Sequence, residues 1–156
     1  MLGFGVIEAG TPATLVECGV VRTPATQALQ LRLAAIHEGV TELIARHRPD
    51  AIAVEGVFYG KNVRSAIVLS HARGVILLAA AQAGIPTHEY SPAQVKKSVV
   101  GRGAALKNQV GYAVMQLLRL RAAPKPADAA DAVAIALTHL LVGPGRNRIA
   151  PWRARG

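Results

Sequence analysis

Acidic side chains at two places in the chain have types and spacing that suit joint chemistry. Glu55 follows a short apolar run, Ala51 to Val54, that is typical of a buried strand. Asp128 and Asp131 are three residues apart in a later segment, so on a helix both side chains share one face. The chain has 9 acidic residues against 18 Lys and Arg. In so basic a chain, these three acids are the strongest candidates for a reactive site.

Carboxylates that converge in space are suited to hold a hard divalent cation. Mg²⁺ prefers carboxylate oxygen and water, and two divalent cations about 4 Å apart activate a water and neutralise a phosphodiester. The three acids therefore predict a metal-dependent phosphodiesterase. Each also has a simpler interpretation that stays open. Asp128 and Asp131 could stabilise a helix N-terminus through the helix dipole, and Glu55 could pair with a lysine at the end of a strand.

The charge balance favours a polyanionic partner. A net charge of +9 suits nucleic acid first and an anionic membrane second. Candidates to hold a DNA backbone are Lys61, Arg64, Lys96, Lys97, Arg102 and Lys107. The simpler interpretation of these residues is an ordinary solvated surface. The five histidines show no ligand spacing and are interpreted as structural or exposed.

Length and composition limit the class of protein. A chain of 156 residues with 51% hydrophobic residues predicts one domain, which we place at residues 1–142, followed by a basic, mobile tail at 143–156. The single cysteine, Cys18, allows no internal disulfide and fits a reducing cytoplasm. No apolar run reaches the roughly 20 residues of a membrane span, and the start lacks the basic segment of a signal peptide. We expect a cytoplasmic protein.

The elements that must position the acids follow an α/β order. Two strands at 3–8 and 14–22 form a hairpin, Thr23-Pro24 is typical of a helix start, and a central strand ends at Glu55. A helix over 65–83 contains Gly74, which indicates close packing against another backbone. A strand over 87–90, a helix opened by Ser91-Pro92, and helices over 107–120 and 127–141 complete the chain. The order β-β-α-β-α-β-α-α-α predicts an α/β domain with a mixed sheet.

Five segments, at 55–62, 71–74, 94–101, 107–110 and 127–136, share their order and spacing with a known family. They resemble the RuvC family of Holliday junction resolvases, over nearly the whole chain up to His139. The resemblance implies an RNase H-like fold: a mixed β-sheet flanked by α-helices. It also implies a homodimer and Mg²⁺-dependent paired nicking of four-way DNA junctions in recombination and repair, with Mn²⁺ as a substitute metal. A branch-migration helicase complex of the RuvA and RuvB type is the implied partner.

The resemblance also assigns roles to residues of this chain. Glu55, Asp128 and Asp131 would be metal-binding catalytic carboxylates, and Phe58 would stack on an unpaired base near the crossover. Scissile-side phosphates would be contacted by Lys96 and Lys107, helped by Lys61 and Asn62. The helix around 67–78 lies at the dimer interface in the family. A related nuclease acting on RNA is a third possibility, which the Phe58 and Lys61-Asn62 segment disfavours.

The start of the chain departs from the family pattern. The family opens with a strand of the form Gly-Ile-Asp-Pro-Gly, whose Asp is its first catalytic carboxylate, whereas residues 1–7 align with the second strand. Glu8 and Glu17 are expected at the wrong end or on the wrong face to replace that Asp. Three explanations stay open: a start codon assigned too late, which we favour for the natural protein, a shortened protein that binds junctions without cutting, or another way of filling the gap. For this chain we predict weak or absent cleavage, with junction binding retained in part.

Overall fold

A computed structural model describes residues 1–56, 63–101, 103 and 106–144, apart from the side chains of 63–65, 107 and 108. Within these ranges the predicted order of strands and helices is confirmed. The elements are β1 (Leu2–Glu8), β2 (Thr14–Val21), α1 (Leu29–His47), β3 (Ile52–Glu55), α2 (Val63–Gln82), β4 (Thr87–Tyr90), α3 (Pro92–Val100), α4 (Lys107–Leu117) and α5 (Ala127–Val142).

The strands pair in both directions, as expected of a mixed sheet, but they do so in two separate parts. β1 pairs antiparallel with β2, with a bulge between Val6 and Ile7, and β3 pairs parallel with β4. In the described part of the chain, no strand joins the two pairs. Within the described residues, the expected sheet is therefore divided into two pairs of strands.

Helix α5 holds the two parts together, because it packs against all four strands. Two glycines let the backbone of β1 lie directly on this helix. A Cβ at Gly3 would overlap the carbonyl of Asp128, and one at Gly5 would lie 2.5 Å from Cγ2 of Val133. The start of β1 is thus fixed against the first turn of α5, the turn that carries Asp128.

Two hydrophobic clusters lie on opposite sides of the strands. The larger joins α3, α4 and α5 through Val99, Val114 and Leu137, and Ile7 and Ala53 pack against it from the strands. The smaller joins α1 and α2, and Leu2 packs against it. Neighbouring strand residues point to opposite faces, so β1 contributes to both clusters. The strands are covered by helices on both sides, as burial of two apolar faces requires.

Three local predictions were wrong in detail. α1 begins at Leu29 rather than at Thr23-Pro24, because the Pro24 carbonyl accepts a hydrogen bond from the Gln27 amide (3.2 Å) in a separate turn. α4 ends at Leu117, three residues earlier than expected, where Arg119 adopts a left-handed backbone (φ 51°). A Cβ added to Gly74 would meet no described atom within 4 Å, so the close packing expected there does not occur within this part of the chain.

Candidate active site

Glu55 projects from the sheet face that packs on α5. On the neighbouring strand β4, Glu89 pairs with Arg73 of α2. The face of the sheet that carries Glu89 therefore looks toward α2. Tyr90 is the next residue and therefore lies on the opposite face, where its hydroxyl is hydrogen-bonded to Nδ1 of His139 in α5 (2.8 Å). Because Glu55 is the register partner of Tyr90, its carboxylate starts from the same face, toward the helix that carries the aspartates.

Both aspartates lie near the start of α5 and are half-buried. Asp128 is in the first turn, and the N-cap, Pro126, provides no side-chain hydrogen bond. Asp128 therefore has the position that the helix-dipole interpretation requires. This position is also compatible with a catalytic role, because Asp128 lines the cleft between β1 and β3.

The gap between the two sheet parts is a cleft of about 1160 Å³. Its lining comes mainly from β1, β3, α1, α2 and α5, with one residue each from β2 and β4, and it includes Glu55, Asp128 and Asp131. Glu55 is 73 positions from Asp128 and 76 from Asp131 in the sequence, yet all three residues line one cavity. The prediction that the three acids share a site agrees with this placement.

The three acids do not close around a single point. Among the described residues, no three His, Cys, Asp or Glu side chains are near enough to hold one ion together. The reason is structural: Glu55 belongs to the β3–β4 part, whereas the aspartates are fixed to the β1–β2 part through Gly3. The donor chemistry still suits a hard cation, because Mg²⁺ is commonly bound through one or two carboxylates and completed by water.

Two other acids considered as replacements for the family's first aspartate are placed unsuitably. Glu17 accepts from Arg46 (3.3 Å) and its second oxygen lies 2.6 Å from Nε2 of His47, which ties β2 to the end of α1. Glu8 lines the cleft but ends β1, at the opposite end from Gly3 and its contact with Asp128. The sequence-based exclusion of both residues agrees with these positions.

A pair of histidines in the same cleft was missed by sequence reasoning. His88 and His139 line it with their ring centroids 4.5 Å apart. Burial, together with the neighbouring His88, lowers the pKa of His139, and burial raises the pKa of Tyr90. The two histidines are 51 positions apart, and only the pairing of β4 with β3 beneath α5 brings them together. No local spacing signals this.

The predicted DNA contacts are only partly described. Lys96 is half-buried and Lys97 is exposed, both on α3, which packs against α4 and α5. Lys107 opens α4 and Arg64 is in the first turn of α2, but the side chains of both are outside the described set. Phe58, Lys61, Asn62 and Arg102 lie entirely outside the described residues. The roles assigned to these eight residues stay predictions. No helix in the described ranges is long and apolar enough to cross a membrane.

Comparison with known proteins decides the family. The family model described as "Crossover junction endodeoxyribonuclease RuvC" matches residues 1–139. The chain belongs to the RuvC family. A RuvC of Parafrankia sp. is 50% identical over 149 residues, covering 94% of this chain and 84% of the relative. One from Streptomyces avermitilis is 48% identical over 149 residues, covering 94% of this chain and 85% of the relative.

Solved RuvC structures agree with this assignment. Thermus thermophilus RuvC in complex with a Holliday junction substrate superposes with a TM-score of 0.84 at 40% identity, covering 88% of this chain and 84% of that one. A second Thermus thermophilus RuvC structure gives a TM-score of 0.82 at 39% identity, with 88% and 85% of the two chains covered. The RNase H-like fold implied by the RuvC resemblance is confirmed.

Proposed function

We propose that this chain is a crossover junction endodeoxyribonuclease that nicks paired strands of four-way DNA junctions in recombination and repair. The observation that carries the proposal is that Glu55, Asp128 and Asp131 line one cleft in a member of the RuvC family. A net charge of +9 supports a polyanionic substrate. The Thermus relative with 40% identity was solved with a Holliday junction substrate.

The carboxylates of Glu55, Asp128 and Asp131 would hold Mg²⁺, for which Mn²⁺ could substitute. A bound divalent cation neutralises phosphate charge and activates a water. The chain's own residues supply the placement: Gly3 lets β1 lie on the first turn of α5, and the Tyr90–His139 hydrogen bond joins the β3–β4 part to the far end of the same helix. These contacts set the distance between Glu55 and the aspartates.

DNA binding is proposed to use the basic and polar residues that the sequence and the family resemblance single out. Phosphates would be held by Lys96 and Lys107, assisted by Lys61, Asn62, Arg64, Lys97 and Arg102, and Phe58 would stack on an unpaired base. Lysine side chains act on phosphates mainly as point charges. Stacking on an aromatic ring is tolerant of base identity, which suits a residue that senses junction shape.

A second candidate is junction binding without cleavage, and two observations favour it. In the described part of the chain the acids form no closed three-residue cluster, and the sheet that would bring them together is divided. On this second candidate, the polypeptide cleaves weakly or not at all while retaining part of its junction binding.

A synthetic four-way junction with one labelled strand at a time separates the two candidates. Gel shift measures binding, and denaturing gels measure nicking with Mg²⁺, with Mn²⁺ and with chelator. Metal-dependent nicking that Glu55→Gln abolishes establishes the nuclease. Binding with no nicking in either metal establishes the binding module. Equal affinity for the junction and for a duplex of the same length contradicts both.

The surface of α2 supports a homodimer. Ile67, His71, Gly74 and Leu78 follow helical spacing along one face, and all four are exposed. Ile67 and Leu78 are each 52% exposed. A Cβ added to Gly74 would have no described atom within 4 Å, so a second helix could approach closely there. Isolated apolar side chains are ordinary on a surface, but a stripe with a glycine at its centre is suited to close contact with a second helix.

Sedimentation velocity tests the dimer. Ile67→Glu combined with Leu78→Glu should convert a dimer into a monomer, because two carboxylates would be buried at the twofold contact. Leu31→Glu is the matched control, since Leu31 is 53% exposed on α1. A chain that sediments as a monomer without substitution contradicts the proposal.

The remaining assignments follow from family membership. We propose a cytoplasmic location, a nuclease domain at residues 1–142, a separate basic tail at 143–156, and a branch-migration helicase of the RuvA and RuvB type as partner. The tail beyond Pro144 lies outside the described residues.

A further inference from the structure

Helix α4 and the turn that follows it present a basic surface that none of the proposed DNA contacts uses. Arg119, Arg121 and Lys125 are all exposed, and within the described residues none of the three has an ion pair. The stretch 91–126, which contains them, has seven Lys and Arg and no Asp or Glu. No carboxylate of this stretch therefore balances their charge.

The outward face of α4 leads directly into this surface. Val110 and Val114 are buried in the larger hydrophobic cluster, whereas Tyr112 and Gln116 are exposed on the other side of the helix. The Arg119 amide donates to the Gln116 carbonyl (3.2 Å), which keeps Arg119 next to that face. Tyrosine hydroxyls and arginine side chains are common donors to DNA phosphates. The face thus offers the chemistry of a phosphate contact.

This surface lies behind α5 as seen from the cleft. Ala132 and Ile135 of α5 line the cleft, whereas Ala134 and Leu137 belong to the cluster that holds α4. At 3.6 residues per turn, these two pairs lie on opposite sides of α5. Two packed helices are together about 20 Å thick, which corresponds to about six base pairs at 3.4 Å each. DNA bound on α4 is therefore several base pairs from a phosphate in the cleft.

We propose that Tyr112, Arg119, Arg121 and Lys125 bind the phosphate backbone of a duplex arm of the junction, several base pairs from the crossover. The inference rests on the proposed junction binding and deepens it by adding a second contact surface. Unpaired cations without neighbouring acids favour a polyanion.

The aromatic content of this surface favours duplex over single-stranded DNA. Sequence-tolerant binding of a single strand uses several aromatic side chains on which successive bases stack. In the part of the chain that the structure describes, Tyr112 is the sole exposed Phe, Tyr or Trp. One tyrosine among arginines and a lysine suits a backbone contact better than a stacking platform.

Fluorescence anisotropy across a salt series, with a labelled linear duplex and a labelled four-way junction, tests this surface. Arg121→Gln should reduce the slope of log affinity against log salt by about 1 on both DNAs, because one phosphate contact is lost. Lys125→Gln should have the same effect. Circular dichroism checks that the variants fold, and Lys125→Gln decides the question if Arg121→Gln does not fold.

Arg22 provides the matched control. Like Arg121, it is an exposed arginine outside any helix or strand, and within the described residues it has no ion pair. It lies on the other helix layer, because a Cβ at Gly39 of α1 would lie 3.0 Å from Cγ2 of the preceding residue, Val21. Arg22→Gln removes the same charge and should leave both slopes unchanged.

Hydroxyl-radical footprinting locates the contact along the DNA. The unsubstituted chain should protect the backbone of an arm about six base pairs from the crossover. Arg121→Glu should remove this protection and leave protection at the crossover intact, whereas Arg22→Glu should leave both.

Three results would overturn the inference: slopes unchanged by both Arg121→Gln and Lys125→Gln, an equal reduction in Arg22→Gln, or protection lost at the crossover instead of on the arm. Unchanged slopes would leave an acidic protein as the partner of this surface. The proposed function fails by a different result, which is equal affinity for junction and duplex. In that case a slope on linear duplex that falls in Arg121→Gln but not in Arg22→Gln still supports duplex binding by α4.

Discussion

At the scale of single residues, the His139 cluster links protonation to stability. Burial and the neighbouring His88 both lower the pKa of His139 from its ordinary value of 6.5. The folded state therefore favours the neutral ring, which is half-buried against Tyr90. In the unfolded chain this histidine regains its ordinary pKa. Between the two values the unfolded state binds more protons, so acid favours unfolding.

We expect the free energy of unfolding to fall as pH drops below about 6.5. Above that value His139 should contribute no pH dependence, because the ring is neutral in both states. Urea unfolding across this range measures the slope, and His139→Gln should reduce it. A slope that is unchanged in His139→Gln would show that other groups cause the acid sensitivity.

Gly5 makes a prediction about packing between β1 and α5. A Cβ there would lie 2.5 Å from Cγ2 and 3.0 Å from Cα of Val133. Because the Val133 backbone is held within α5, relief requires a shift of β1. We expect Gly5→Ala to lower the free energy of unfolding by about 1–3 kcal/mol.

Gly111 provides the control for that substitution. It lies within α4, and an added Cβ would meet no described atom within 4 Å. Gly111→Ala should raise the free energy of unfolding by up to about 1 kcal/mol, because alanine has the higher helix propensity. Chemical denaturation measures both variants. Equal effects would mean that the contact between β1 and α5 is looser than the structure shows.

At the scale of elements, α3 has the clearest local start signal. The Gln94 amide donates to Oγ of Ser91 (3.2 Å), and the Ser91 amide donates to Oε1 of Gln94 (2.8 Å), which forms a capping box. Ser91→Ala should cost about 1 kcal/mol of stability. Ser98→Ala is the matched control, because the Ser98 hydroxyl only donates back to the Gln94 carbonyl within the helix (2.7 Å). Thermal unfolding distinguishes the two, and an equal loss would contradict the capping role.

Elements with local signals were predictable from the sequence. Ser91-Pro92 predicted the start of α3, and the apolar run before Glu55 predicted β3. The start of α1 was not predictable, because Thr23-Pro24 has the chemistry of a helix start but forms a separate turn. The end of α4 was missed for a similar reason, since no residue type signals the left-handed backbone at Arg119.

Of the candidate site, only the acids could be predicted from the sequence. Carboxylates in a basic chain, together with the RuvC resemblance, identified Glu55, Asp128 and Asp131. The shared cleft, the neighbouring His88 and His139, and the division of the sheet all depend on contacts between segments distant in sequence. Such contacts have no periodicity along the chain that a single sequence could reveal.

At the scale of the whole molecule, the cleft lies between the two sheet parts that position the acids. Glu55 belongs to one sheet part, and the aspartates are fixed to the other through α5. Helix α5 packs against the strands of both parts and so sets their separation. The arrangement of the acids therefore depends on how the two parts pack on α5, whereas α3, which carries Lys96 and Lys97, provides none of the residues that line the cleft.

The net charge of +9 predicts strongly salt-dependent binding to junction DNA. Each lysine that neutralises a phosphate releases counterions, so the logarithm of the affinity falls linearly with the logarithm of salt concentration. Lys97 is exposed on α3, and Lys97→Gln should reduce the magnitude of the slope by about 1. Fluorescence anisotropy with a labelled four-way junction across a salt series measures it.

Arg46 is the matched control for this charge change. It is exposed, but its guanidinium pairs with Glu17 (3.3 Å) and Glu42 (3.0 Å). Because these carboxylates already balance it, Arg46→Gln should leave the salt slope of junction binding unchanged even though it removes the same charge. Equal reductions in both variants would mean that DNA responds to the total charge of the chain. A reduction confined to Lys97→Gln would place the phosphate contact on α3, beside the helix that carries the aspartates.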